Sequence, residues 1–188
     1  EIFSIKRKVH HEISYTEETI DKLQTIQDNL VINSYIPCDS FELEYLSLKG
    51  SIGIKDGLGL DEFSIDFTKY KNGVLGLIGH NGSGKSTLLE NCHPYPQMLT
   101  RKGSLKEHFC LKNSHRILIY KCSNGQRIKI SMFIDGTTKD STSYLVERKK
   151  DENSLWVQVK SATGTKDSYL EWVQNTFGSV DMFMRTSF

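Results

Sequence analysis

The sequence carries almost no net charge: 24 lysines and arginines face 23 aspartates and glutamates, leaving +1 at pH 7. Bulk charge therefore argues neither for nor against a nucleic-acid partner, and any such footprint must be local. No apolar run approaches the ~20 residues that cross a bilayer as a helix, so no membrane partner is expected. Cysteine is sparse. The four, at 38, 92, 110 and 122, form no C-x-x-C pair, which leaves a zinc or redox motif without support. With no secretory leader read at the start, reduced thiols and a cytoplasmic location are expected. The histidines are scattered. Their one cluster, His10-His11-Glu12, lacks the second histidine of H-E-x-x-H and reads as surface. What is present is ordinary globular composition, 37% hydrophobic and 25% charged, in 188 residues. That length suffices for one domain with a real core.

The densest chemical signal is Gly79-His80-Asn81-Gly82-Ser83-Gly84-Lys85-Ser86-Thr87, which fits G-x-x-x-x-G-K-[ST]. Such a loop holds a nucleoside triphosphate by its phosphates. Gly82 and Gly84 let the backbone curl so that N–H groups point inward at phosphate oxygens. Lys85 is the expected catalytic residue, its charge set on the β- and γ-phosphates. Asn81, Gly82, Ser83, Gly84, Lys85, Ser86 and Thr87 together form the expected ATP cradle. The Ser86 hydroxyl is the expected Mg²⁺ ligand. A helix N-terminus adds partial positive charge. The flanks agree with the motif: residues 74–78 are a short apolar run that reads as a buried strand, and residues 88–92 open a helix.

Elsewhere the pattern is mostly β. Residues 1–40 differ: Ile13, Ile20, Leu23, Ile26 and Leu30 fall near helical spacing, with Thr16-Glu17-Glu18-Thr19 as a start and Pro37 as a stop. One amphipathic helix is expected there, with the end of a coiled coil as the alternative. Phe41, Leu43 and Tyr45 alternate with glutamates, and Phe63, Ile65 and Phe67 alternate with Ser64 and Asp66; both read as half-buried strands. The glycines at 50, 53, 57 and 59 between them read as a turn region. Lys71-Asn72-Gly73 reads as a tight turn. Pro94 and Pro96 stop the loop's helix. Strands are expected at 117–122 and 127–135, joined by Asn124-Gly125, with Ile128, Ile130, Met132 and Ile134 on one face. A second pair is expected at 144–148 and 155–159. A helix from Asp167 places Leu170, Val173 and Phe177 on one face and stops at Gly178. Met182, Phe183 and Met184 read as core. The pattern breaks off after Phe188, so a longer parent protein is expected.

Asn81-Gly82-Ser83-Gly84-Lys85-Ser86-Thr87-Leu88-Leu89 is similar to the N-G-S-G-K-S-T-L-L of ABC-type ATPases. After it come the break His93-Pro94-Tyr95-Pro96, the hairpins over 117–159, a helix, and Phe183-Met184-Arg185-Thr186-Ser187-Phe188. That order resembles the N-terminal half of the SMC-like DNA-repair ATPases of the SbcC type, over residues 41–188. The resemblance implies an α/β fold of the P-loop NTPase, ABC-ATPase head type: a β-rich first lobe carrying the phosphate loop, incomplete without a C-terminal half. Residues 1–40 would be an N-terminal extension. Two heads would form a homodimer around two ATP molecules, and engagement would gate double-stranded DNA binding and a partner nuclease. The family's glutamine loop would fall just past Phe188, and its signature motif and Walker B acid are not found here. The basic residue that the family places after its first strand is not clearly matched; Lys49 or Lys55 would substitute. An ATPase that is inactive as this fragment alone is therefore expected. DNA contact would be to phosphates, with Arg101, Lys102, Lys106, Arg148, Lys149 and Lys150 as candidates. Two alternatives use the same loop: the ATPase subunit of a membrane transporter, and a non-hydrolysing interaction module. The long run of hairpins after Lys85 favours the DNA-repair branch over the transporter, whose glutamine loop comes sooner.

Overall fold

The computed structural model describes residues 22, 40–70, 75–98, 104–137, 142–181 and 183. The chain divides into two compact units, residues 1–36 and 37–188. The expected helix over 13–30 apart from Lys22, the turn at 71–73, and residues Arg101, Lys102, Met182 and Met184 lie outside the described residues.

The second unit is an α/β fold on one six-stranded antiparallel sheet. The strands are β1 (Phe41–Lys49), β2 (Glu62–Asp66), β3 (Ser114–Cys122), β4 (Arg127–Ile134), β5 (Thr142–Lys149) and β6 (Val157–Gln158). Their spatial order is β2-β1-β3-β4-β5-β6. Strand alternation decides which face is core. Ile128, Ile130, Met132 and Ile134 are all buried, the face that their period of two predicts. Cross-strand register then aligns Ile130 with Leu118 and Val146, extending the same apolar row over three strands. The β3–β4 hairpin turns where expected. Gly125, at φ 85°, donates its N–H to the Cys122 carbonyl at 2.9 Å, and Gln126 N–H reaches Asn124 Oδ1 at 3.0 Å.

Among the described residues the sheet is accompanied by the α-helices α1 (Ile52–Leu58), α2 (Lys85–Glu90) and α3 (Lys166–Phe177). Thr165 caps α3 by accepting from the Ser168 N–H, and Gly178 ends it by donating to the Gln174 carbonyl. Its buried residues are Tyr169, Trp172, Val173, Thr176 and Phe177. These follow i, i+3, i+4, i+7, i+8, the spacing of one helix face. Phe177 rests on Phe41 and Tyr120, with ring centroids at 4.3 and 5.1 Å. Leu170, expected on this face, is only half-buried, because Tyr169 and Trp172 take the inner positions.

Other expectations require correction. The glycine-rich stretch read as a turn is the helix α1, capped by Gly59 at φ 70° with its N–H on the Lys55 carbonyl. The run read as a buried strand at 74–78 is not one over its described residues, 75–78. Residues 75–80 carry no regular structure, and Leu75, Leu77 and Ile78 are exposed, Ile78 by 97%. A strand exists only when a neighbour takes its N–H and C=O groups, and none of the six described strands pairs with this run. The strand expected at 155–159 shortens to Val157–Gln158, with Leu155 in solvent.

Candidate nucleotide site

The loop at 79–84 leads directly into α2. Gly82 and Gly84 both sit in the left-handed region, at φ 83° and 85°, where a side chain is disfavoured. A Cβ on Gly79 would stand 2.6 Å from Ser83 Oγ, a contact that rotation of the hydroxyl relieves. The loop closes on itself through Ser83 N–H to the His80 carbonyl at 3.2 Å, and α2 begins with Leu88 N–H on the Gly84 carbonyl at 2.9 Å. Helix α2 starts at Lys85, three residues earlier than the expected opening at 88.

Lys85 folds back over the loop. Its ammonium donates to the Gly79 and His80 carbonyls, both at 2.7 Å, and lies 3.5 Å from Ser83 Oγ. The two hydroxyls that follow are sorted by the helix. Ser86 is exposed, whereas Thr87 is 3% exposed and faces inward. Of the pair, only Ser86 presents a hydroxyl outward where a metal ion could be ligated. Asn81 and Gly82 are exposed on the loop. The expected cradle residues are thus gathered in one turn with Lys85 at its centre. The donor set fits a phosphate chain: one ammonium, a curled backbone and an open hydroxyl.

Behind α2, residues 91–98 turn into the interior. Tyr95 N–H donates to His93 Nδ1 at 3.1 Å, so the neutral ring carries its proton on Nε2. His93 is fully enclosed, and burial with the nearby Arg116 charge depresses its pKa from 6.5 to about 2. Three side chains grip the main chain here. Tyr120 Oη donates to the Cys92 carbonyl at 2.8 Å, Tyr169 Oη to the Pro94 carbonyl, and Arg116 Nη2 to the Tyr95 carbonyl. Tyr95 Oη in turn holds the Gly178 carbonyl at 2.8 Å, just past α3. Burial pushes the Cys92 thiol up to about 11, which makes it an inert core group.

The candidate DNA residues that are described, Lys106, Arg148, Lys149 and Lys150, do not form one basic patch. Arg148 is 8% exposed and lies over the Trp172 ring at 5.5 Å on the core face. Lys149 points to the other face and covers Trp156 at 5.2 Å. Only Lys150 of that triplet is fully exposed. A strand alternates its side chains, so this run cannot form one basic patch. Lys106 is half-buried in a short 3₁₀ turn. Near Trp156 a cavity of about 420 Å³ is lined by Tyr45, Ile119, Arg127 and Lys149, but Arg127 there is bound to Glu44 at 2.5 Å and Glu152 at 3.0 Å. Lys49 lies 3.8 Å from Glu62, and Lys55 pairs with Asp61 at 2.9 Å.

Gly53 and Gly57 of α1 abut the loop, a role that the sequence reading missed. Their i, i+4 spacing ahead of the motif was the available signal. No protein-family model matches the chain, and a search of curated proteins also finds no match.

Proposed function

We propose that this chain is the ATP-binding half of an SMC-like ATPase, whose ATP-driven head engagement is coupled to DNA binding and to end processing with a partner nuclease. One observation carries the reading: the Lys85 ammonium is folded over the Gly79 and His80 carbonyls, inside a turn made by Gly82 and Gly84. An ammonium held only by neutral oxygens gains by meeting charged ones. Lys85 would hold the β- and γ-phosphates, the amides of residues 81–87 would line the rest, and Ser86 would ligate Mg²⁺. The metal ion supplies neutralisation of charge on the phosphoryl oxygens. The β-rich unit after the loop supports the SMC-like branch by its order of elements. The partners in this reading are a second head, double-stranded DNA and a nuclease subunit.

The test is the ATPase rate of the intact parent protein, with and without linear duplex DNA, beside Lys85→Ala. Stimulation by DNA is expected, and the variant should lose it. Two charge-assisted hydrogen bonds from Lys85 to the phosphates, each of a kind worth about 1.5–3 kcal/mol, would be lost, so a drop of at least ~10²-fold is expected. A rate indifferent to DNA but abolished by the substitution would move the assignment to transport or another regulated assembly. A rate that Lys85→Ala leaves unchanged would remove the site.

A further inference from the structure

Helix α1 meets the main chain of the phosphate loop through Gly57. A Cβ on Gly57 would lie 2.5 Å from Gly82 O, 2.5 Å from Ser83 C and 2.7 Å from Gly84 N. A Cβ on Gly53 would lie 2.1 Å from Thr87 Oγ1 and 3.0 Å from its Cβ and Cγ2. The contact is reciprocal: a Cβ on Gly84 would lie 2.9 Å from Gly53 O and 3.3 Å from Ile54 Cδ1. So the two glycines of α1 touch the two turning glycines of the loop and the residue that follows Lys85 and Ser86.

Backbone conformation does not require glycine at 53 or 57. Neither is among the positive-φ positions, unlike Gly50 and Gly59 on either side. Helix propensity opposes them, since interior glycine costs about 1 kcal/mol against alanine. Close approach is what remains. The atoms that a methyl at Gly57 would strike are main-chain atoms, which cannot rotate aside. The phosphate cradle consists of those same atoms, so the loop's shape and the position of α1 are one quantity.

We propose that Gly53 and Gly57 are positioning residues, which seat α1 as a buttress holding the loop at 82–87 in its phosphate-accepting shape. The consequence for nucleotide rests on the ATP-binding reading above; the buttress itself is measurable without nucleotide.

The test compares the full chain with Gly57→Ala, Gly53→Ala, Gly53→Ala/Thr87→Ala and Gly59→Ala. Two readouts are taken: hydrogen exchange at the Ser83 and Leu88 amides, which the loop's own carbonyls hold, and affinity for Mg·ATP. Gly57→Ala and Gly53→Ala are each expected to speed exchange at those amides at least tenfold and to weaken Mg·ATP binding at least tenfold. Thr87→Ala removes Oγ1 and Cγ2, so the double variant should recover protection relative to Gly53→Ala alone. Gly59→Ala places a methyl in open space at φ 70°; it should lower stability yet leave loop exchange and affinity unchanged. Wild-type exchange in both Gly53→Ala and Gly57→Ala would overturn the proposal. Equal losses in Gly59→Ala would do the same, by showing that α1's stability and not its contact matters. Should Gly57→Ala fail to fold, the Gly53–Thr87 pair decides by whether the second substitution restores protection. If the wild-type chain binds no Mg·ATP, the nucleotide reading falls, while the exchange data still judge the buttress.

Discussion

His93 couples the interior behind α2 to pH. Its ring has no exposure, and burial is the main cause that lowers its pKa from 6.5 to about 2, with the Arg116 charge second. Desolvation penalises the charged form, so the folded chain holds His93 neutral while the unfolded chain protonates it below its ordinary value. Above pH 6.5 both states are neutral and nothing is lost. Below 6.5 the unfolded state binds the extra proton, and stability falls by about 1.4 kcal/mol per pH unit until the folded pKa is reached. Moving from pH 7 to pH 5 should therefore cost about 2 kcal/mol in a urea titration. The lowered carboxylates Asp66, Glu107 and Asp151 act in the same direction, but below the ordinary carboxylate range near 4, outside this window. His93→Asn keeps an acceptor for Tyr95 N–H and cannot take up a proton, so its loss between pH 7 and 5 should be clearly smaller than that of the wild type, the remainder coming from the half-buried His115, whose pKa burial also lowers. Equal slopes in both proteins would assign the acid sensitivity to another group. Arg116 makes this site unusual. It is fully buried, its burial lowers its pKa, and the groups that touch its Nη2 are the Tyr95 carbonyl and Met132 Sδ at 3.0 Å, with no carboxylate at the guanidinium among the described residues.

At the scale of elements, the phenols bind the α2 exit to the sheet and to α3. Tyr169 stacks on Tyr144, with centroids 4.5 Å apart and planes 15° from parallel, and its hydroxyl serves the Pro94 carbonyl in a fully buried place. Tyr169→Phe keeps the ring stack and leaves that carbonyl without its partner, which costs about 1–3 kcal/mol. Tyr95→Phe frees the Gly178 carbonyl, which is only partly buried, so water replaces much of what is lost and the cost should be about 1 kcal/mol. Denaturant midpoints of the two variants check the order; a larger loss for Tyr95→Phe would refute this account of the clamp. Such tertiary bonds mark the limit of what sequence makes legible. The hairpin of β3 and β4 could be read because alternation and Asn124-Gly125 are local signals. The helix α3 could be read, but its inner face moved by one position, since Tyr169 and Trp172 outcompete Leu170 for burial. The helix α1 could not be read, because two interior glycines disfavour a helix and only contact with the loop makes up for them. The glycine-lysine motif could be read because its residues lie within nine positions, and the structure gathers them in one turn. The carbonyls that Lys85 holds, and the glycines behind it, follow from folding and not from spacing.

At the scale of the whole molecule, the proposed phosphate site sets no carboxylate against Lys85 among the described residues. The atoms that meet Lys85 are two main-chain carbonyls and one hydroxyl, and none of these takes a proton from water at neutral pH. Leu75, Leu77 and Ile78, which precede the loop in the chain, are exposed, as are Leu58 and Leu60 at the α1 end and Leu89 of α2. An open site keeps its electrostatics in high dielectric, where they are weak. The 188-residue chain alone should therefore bind Mg·ATP weakly and turn it over below about one-hundredth of the DNA-stimulated rate of the parent protein, a barrier difference of ~2.7 kcal/mol or more. Isothermal titration and a phosphate-release assay on the purified chain, with Lys85→Ala as the baseline, measure both quantities. Weak binding that the substitution abolishes, with release at the baseline, is the expected pair of results. Turnover by the isolated chain at the parent rate would show that the catalytic groups all lie within these residues and would remove the two-head mechanism.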